Sequence, residues 1–204
     1  MVTLSHIWYT YGMHTLHLNR PYAIMMVGIP GSGKSFFATK FAETFGTPYI
    51  DSLILEKNAR DEQASSELLG LVLGELAKTG KSFVFEGNSD TRVRRTEFAS
   101  WARSRNYLPL FIWVQLDQAT ALNRTLRSKS MDKHEFARIL KDFSAPHPTE
   151  KPIVVSGKHT YASQVKSVLK RLGNENRPPA LSTAAAPRAH ASRTTPDQSI
   201  TIRS

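Results

Sequence analysis

Apolar residues in this chain come in five short, nearly unbroken runs, and amphipathic stretches separate them. The first run is Ala23-Ile24-Met25-Met26-Val27. Continuous rather than alternating, it predicts a strand buried on both faces. Pro48-Tyr49-Ile50, Ser82-Phe83-Val84-Phe85, Leu108 to Leu116 and Pro152 to Val155 supply the other four. Between the first two, Phe37, Phe41 and Phe45 recur at four-residue spacing. That predicts a helix over Ser35 to Phe45 with one apolar stripe, and Gly46 is placed to cap it. Residues 52–78 predict helix through Leu53, Leu68, Leu69, Val72, Leu73 and Leu76, with a break near Asn58–Asp61. A helix over 91–105 carries Phe98, Trp101 and Ala102, and Asp117 is a suitable N-cap for one reaching about Ser128. Asp132 to Phe143 and Tyr161 to Leu172 complete the set. Strands alternating with helices predict an α/β fold whose parallel sheet is covered on both sides.

The pattern fades at both ends. Residues 1–20 hold Trp8, Tyr9 and Tyr11 without a period and form an N-terminal extension, within which Met13 is a second candidate start. Residues 21–173 form the domain. After Gly173 the composition turns to Pro, Ala, Ser, Thr and Arg, so 174–204 is expected to be a disordered basic tail that cannot bury enough apolar surface to offset its ordering entropy.

Composition narrows the classes. Of 204 residues, 40% are hydrophobic and 22% charged, an ordinary globular balance. There is no cysteine, which excludes disulfides and thiolate metal sites and agrees with a cytoplasmic location. No apolar run approaches the ~20 residues of a membrane helix, and residues 1–20 lack the layout of a signal peptide. The formal net charge is +10, which makes nucleic acid a candidate partner alongside phosphorylated ligands.

The first strand runs straight into Gly28-Ile29-Pro30-Gly31-Ser32-Gly33-Lys34-Ser35. This is G-x-x-x-x-G-K-[ST] between a strand and a helix, the context a phosphate-binding loop requires. Glycines let backbone N–H groups fold around phosphate oxygens, and the helix that follows presents its positive end to them. Gly28, Pro30, Gly31, Ser32, Gly33, Lys34 and Ser35 are therefore expected to bind a nucleoside triphosphate. Lys34 is expected to reach the β- and γ-phosphates and Ser35 to serve Mg²⁺.

The chain has no N-K-x-D base-reading motif and no apolar strand ending in Asp-Glu, which argues against a GTPase switch and a motor ATPase. Ligands of parallel sheets collect beyond the carboxyl ends of the strands, and three polar groups are expected there: Asp51, Glu86 and Asn88. One carboxylate near an acceptor hydroxyl can take its proton, and another can hold Mg²⁺. Blander readings are open for each: a helix cap for Asp51, a strand-end acid for Glu86, a turn residue for Asn88. Arg124 and Arg127 share a helix face and either neutralise charge on a transferred phosphoryl group or simply complement the helix dipole. Arg92, Arg94 and Arg95 form a further basic cluster, near the acceptor or on a solvated face.

In this order, the pieces from 22 to 172 resemble the P-loop kinases of the polynucleotide-kinase and zeta-toxin-like group, often described as AAA-type ATP-binding proteins. The resemblance rests on Gly28–Ser35, Asp51, Glu86-Gly87-Asn88 with Arg94 or Arg95 after it, Leu122-Asn123-Arg124-x-x-Arg127 and the closing helix. It implies a three-layer P-loop fold with a five-stranded parallel sheet in the order 2-3-1-4-5. It also implies ATP- and Mg²⁺-dependent phosphoryl transfer to a hydroxyl of a small molecule, nucleotide or nucleic-acid end. By that resemblance Asp51 is the base, and Lys34, Arg124 and Arg127 act on the transferred group. Ser35 and Glu86 serve the metal, and Asn88, Arg94 and Arg95 lie by the substrate. The chain departs from the pattern twice: Glu86 stands where aspartate is usual, and Leu53 or Ile54 where an arginine often contacts substrate. A module that binds or hydrolyses ATP and holds RNA or protein, without an acceptor, is the alternative.

Overall fold

The computed structural model of the chain describes residues 18–175; the expectations for 1–17 and for 176–204 lie outside them. Tyr22–Val27 forms β1, and all six of its residues are buried. Alternate side chains point to opposite faces of a strand. Tyr22, Ile24 and Met26 accordingly enter one core cluster, and Ala23, Met25 and Val27 enter another. That two-sided burial is why the run is unbroken.

Helix α1 (Lys34–Phe45) covers the first face with Phe37 and Phe41, both 0% exposed, and Gly46 ends it in a left-handed C-cap. The rings of Phe37 and Phe41 stack at 5.7 Å between centroids. Truncating either to alanine would cost about 3–5 kcal/mol at such a site. Strand β2 (Tyr49–Asp51) leads directly into α2 (Ser52–Asn58). The expected break follows, because Asp61 accepts the Ala64 N–H at 2.7 Å and starts a new helix, α3 (Glu62–Lys78). Strand β3 (Phe83–Glu86) and helix α4 (Arg92–Ser104) come next; Phe98 and Ala102 of α4 cover the second face with Leu73 of α3.

Strand β4 (Leu108–Gln115) is followed by the helical pair α5 (Gln118–Arg127) and α6 (Lys133–Asp142). As expected, Asp117 caps α5, accepting the Thr120 N–H at 2.9 Å. A 3-10 turn over Pro148–Glu150 precedes β5 (Ile153–Ser156). Helix α7 spans Tyr161–Glu175. It therefore runs past the expected stop at Gly173. Val168 and Leu172, at 0% and 1% exposed, hold its inner face in the core, and an interior glycine costs only about 1 kcal/mol. The described helix thus reaches Glu175, inside the segment expected as tail from residue 174.

Every strand pairing is parallel, in the order β2-β3-β1-β4-β5 with β1 at the centre. The register sets Met26 beside Glu86 and Asp51 beside Glu86. The carboxyl ends of β1, β2 and β3 are therefore level. A third, smaller cluster joins Ile29 in the loop after β1 to Ala121 of α5 and Phe136 of α6. This cluster fixes the α5–α6 pair over the loop.

Candidate active site

The loop from Gly28 to Gly33 is locked by close approach. A Cβ on Gly31 would run into the Ala121 carbonyl oxygen and lie 2.6 Å from the Thr125 hydroxyl oxygen, and Gly31 has φ +74. Only glycine allows α5 to press on the loop in this way. Gly157, in the β5–α7 turn, approaches the Ser32 carbonyl equally closely. The hydroxyl of Ser32 is fully buried and has no hydrogen-bond partner among the described residues. Such an orphan costs about 1–3 kcal/mol. A phosphate oxygen in the loop would satisfy it, so the residues present fit a triphosphate.

At the loop's end Lys34 donates to the Ile29 carbonyl at 3.2 Å, and its ammonium lies 4.0 Å from a Glu86 oxygen. Burial pulls the Lys34 ammonium below its ordinary pKa, while the charges of Glu86 and Asp51 oppose that shift. The next residue, Ser35, donates its hydroxyl to Glu86 Oε1 at 3.0 Å. Glu86 is 7% exposed, and its second oxygen accepts the Tyr49 hydroxyl at 2.8 Å. Burial, and then the Glu86 charge beside it, push the Tyr49 phenol well above its usual pKa, so it stays a donor.

Tyr49 carries no motif and the sequence reading missed it. The signal that could have found it is the period of two: Tyr49 and Asp51 share a face of β2, and Asp51 pairs with Glu86. For Mg²⁺, the Ser35 hydroxyl and the Glu86 carboxylate form an all-oxygen donor pair. That suits a hard cation which keeps several waters and leans on phosphate oxygens.

Asp51 is half-buried and caps α2, with Oδ1 accepting the Leu53 N–H at 3.0 Å. Its charge is felt at both Lys34 and Tyr49. The cap reading of this residue is met, and the same residue belongs to the charge cluster around Glu86.

Asn88 has φ +47, and its side-chain oxygen accepts from Arg94 Nη1 at 2.8 Å. The two residues border hollows of about 440 and 600 Å³ between α3 and α4; both hollows also touch Ser66 and Leu69, and the larger includes Glu56, Arg60, Asp61 and Glu62.

The remaining arginines divide. Arg124 donates to the Gly157 carbonyl at 3.1 Å. It therefore braces the turn that presses on Ser32. Arg127 is exposed, and its side chain makes no hydrogen bond or ion pair with a described residue. Arg95, expected beside the substrate, is 0% exposed. It forms a two-pronged pair with Glu150, at 2.7 and 3.1 Å, and donates to the carbonyls of Ser89 and Ser144, each at 2.9 Å. With its donors consumed inside the protein, Arg95 is a pin between the β3–α4 loop and the segment before β5. It has nothing left to offer a ligand.

No protein-family model matches the chain, and no curated protein matches it by sequence. Solved structures do match in fold. A gluconokinase from Sinorhizobium meliloti is 19% identical, with 76% of this chain and 94% of that one aligned at a TM-score of 0.60. A sugar kinase from a Janibacter species is 16% identical, over 76% and 95%, at 0.57. Kti12 from Chaetomium thermophilum, solved with ADP-AlF3, is 13% identical, over 76% and 100%, at 0.58. The narrower polynucleotide-kinase or zeta-toxin-like grouping rests on the sequence motifs alone. What the chain shares with these neighbours is the P-loop kinase fold, a five-stranded parallel sheet ordered 2-3-1-4-5 between two layers of helices.

Proposed function

We propose that this protein transfers the γ-phosphoryl group of ATP to a hydroxyl of a small acceptor. The observation that carries the reading is the arrangement around Glu86: the Ser35 hydroxyl at 3.0 Å, the Tyr49 hydroxyl at 2.8 Å, the Lys34 ammonium at 4.0 Å and Asp51 as its register partner. A phosphate loop, a metal-competent pair and a second carboxylate then meet at one end of the sheet.

Transfer forms a bond from the acceptor oxygen to the γ-phosphorus, breaks the bond to the β–γ bridging oxygen and releases ADP. Asp51 takes the acceptor proton with Oδ2, since Oδ1 is committed to Leu53. Lys34 neutralises charge on the transferring group and the leaving oxygen. Ser35 and Glu86 would hold Mg²⁺, which when bound would supply neutralisation of phosphate charge. Arg124, steadied by Gly157, meets charge that grows in the transition state, and Arg127 is free to swing in beside it.

The groove between α3 and α4, with Asn88 and Arg94 on its border, is the acceptor site. Among the described residues its carboxylates Glu56, Asp61 and Glu62 face only Arg60 and Arg94, and Arg60 is already paired with Asp61 at 2.9 Å. Leu53 and Ile54, 55% and 58% exposed, replace the cation that a polyanion would need. These features favour a compact, uncharged polyhydroxy compound over a nucleic-acid end. The same exposed pair, and Kti12 among the structural neighbours, support a second reading: an ATP-dependent binding module with no acceptor. The test is incubation with γ-labelled ATP and pools of polyols and sugars, nucleosides and 5′-hydroxyl oligonucleotides. Label in a polyol or sugar supports the first reading. ATP turnover that no hydroxyl compound accelerates supports the second.

A further inference from the structure

Glu86 is held from three directions. Its backbone is fixed by the residue that follows: Gly87 has φ +149, and a Cβ there would run into the Ser52 side chain at the start of α2. Its Oε1 accepts the Ser35 hydroxyl at 3.0 Å, and the Lys34 ammonium stands 4.0 Å from the same oxygen. Its Oε2 accepts the Tyr49 hydroxyl at 2.8 Å, from the neighbouring strand. Tyr49 pairs with Val84 in the register, two places before Glu86. Its hydroxyl therefore has to span about 6.6 Å along the sheet, at 3.3 Å per residue, and a tyrosine is long enough to do so. Tyr49 is half-buried and its ring packs against the core on the α1 face, so it is itself steadied. The oxygen shared with the phosphate loop is thus Oε1 alone.

We infer that Tyr49 is a positioning residue that sets which divalent cation the site accepts with ATP. The inference rests on the reading that Ser35 and Glu86 hold Mg²⁺. By occupying Oε2, Tyr49 makes Glu86 a one-oxygen acid toward the metal or its waters. A one-oxygen carboxylate suits Mg²⁺, which demands near-ideal octahedral geometry and keeps several waters. A carboxylate that offers both oxygens suits Ca²⁺, whose larger and less regular shell takes bidentate carboxylates. Tyr49 therefore disfavours Ca²⁺ by withholding one oxygen and favours Mg²⁺ by fixing the other. Phenylalanine at this position would pack alike and lack the hydroxyl that does both.

The test is calorimetry of ATP binding to the full chain, in EDTA and across ranges of Mg²⁺ and of Ca²⁺, for the parent, Tyr49→Phe and Glu86→Gln. Melting curves in EDTA accompany each protein. Tyr49→Phe keeps the ring, and the readout is the metal effect relative to ATP binding in EDTA. The Mg²⁺ concentration that gives half of this effect is expected to rise about tenfold or more, the usual loss when a residue that orients a metal ligand is removed. The Ca²⁺ requirement is expected to stay level or fall, so the preference for Mg²⁺ over Ca²⁺ shrinks by at least that factor. A general loss of packing weakens ATP binding in EDTA and with both metals alike, so the ratio between the metals is free of it. An unchanged ratio in Tyr49→Phe, with the Mg²⁺ effect lost in Glu86→Gln, would overturn the role of Tyr49 and leave the metal pair standing. A full Mg²⁺ effect in Glu86→Gln would remove Glu86 from the metal site, and the role of Tyr49 with it.

Discussion

Asp51 and Glu86 stand side by side in adjacent parallel strands, yet carry different loads. Glu86 is 7% exposed and spends both oxygens on hydroxyls, while Asp51 is more open and spends one on the Leu53 N–H. The saturated carboxylate is suited to hold a fixed geometry. The half-committed one is suited to receive a proton. The predictions below follow from that division.

Lys34 is costly to the ligand-free fold. Its ammonium is held below the ordinary value of 10.5, with burial as the main cause. The charged form is thus penalised in the folded state and not in the unfolded one. The unfolded chain keeps that proton to higher pH, so this residue's contribution to stability improves as pH climbs from the folded pKa towards 10.5. Lys34→Met is expected to melt at or above the parent temperature at neutral pH and to lose the stabilisation that ATP gives the parent. Calorimetry with and without ATP and Mg²⁺ checks both halves. A variant still stabilised by ATP as much as the parent would remove Lys34 from the phosphate site.

Arg95 is structural. Arg95→Met leaves the Glu150 carboxylate buried with its cation gone, and breaking such a pair costs about 3–5 kcal/mol. Replacing both partners, Arg95→Met with Glu150→Gln, is expected to recover a large part of that. Denaturant unfolding of the two variants measures it. A single variant as stable as the parent would mean that the pair holds nothing together.

Arg124→Ala is expected to lower turnover at saturating ATP more than it weakens ATP binding, because the arginine meets charge that grows along the reaction. Its link to Gly157 makes it the stronger of the arginine pair; Arg127→Ala is expected to have the smaller effect. Equal losses in affinity and turnover would reduce Arg124 to a ground-state contact.

Much of the scaffold is written locally. The unbroken run of β1, the Phe37–Phe41 stripe and the Asp61 and Asp117 caps are each decided by residues within one turn or strand, so the elements could be read directly. The sheet order could not be read that way. It depends on which strands pair across the molecule, and it came from resemblance. At the site, the loop spacing and the strand end were enough to read that Lys34, Ser35 and Glu86 lie close together. Arg95 was misread because three near-adjacent arginines suggest a wet surface. Its spacing with Phe98, Ala99 and Ala102, all buried on α4, puts it on the inward stripe, and that periodicity was available. Tyr49 was hidden for a different reason: its partner Glu86 is 37 residues away in sequence, and only the β2–β3 register brings the two together.

The central claim is that Asp51 is a base as well as a cap, and Asp51→Asn separates the two. Asparagine keeps the shape and caps a helix about as well, so folding and ATP binding are expected to survive. The decisive measurement is the rate of γ-label transfer to the accepted hydroxyl compound, parent against Asp51→Asn, at saturating ATP and acceptor. The account predicts a fall of about 10²–10⁴, the usual worth of a positioned base, towards the lower end because the acceptor proton leaves late in a loose transition state. Transfer at the parent rate would contradict it and leave Asp51 as a helix cap and nothing more.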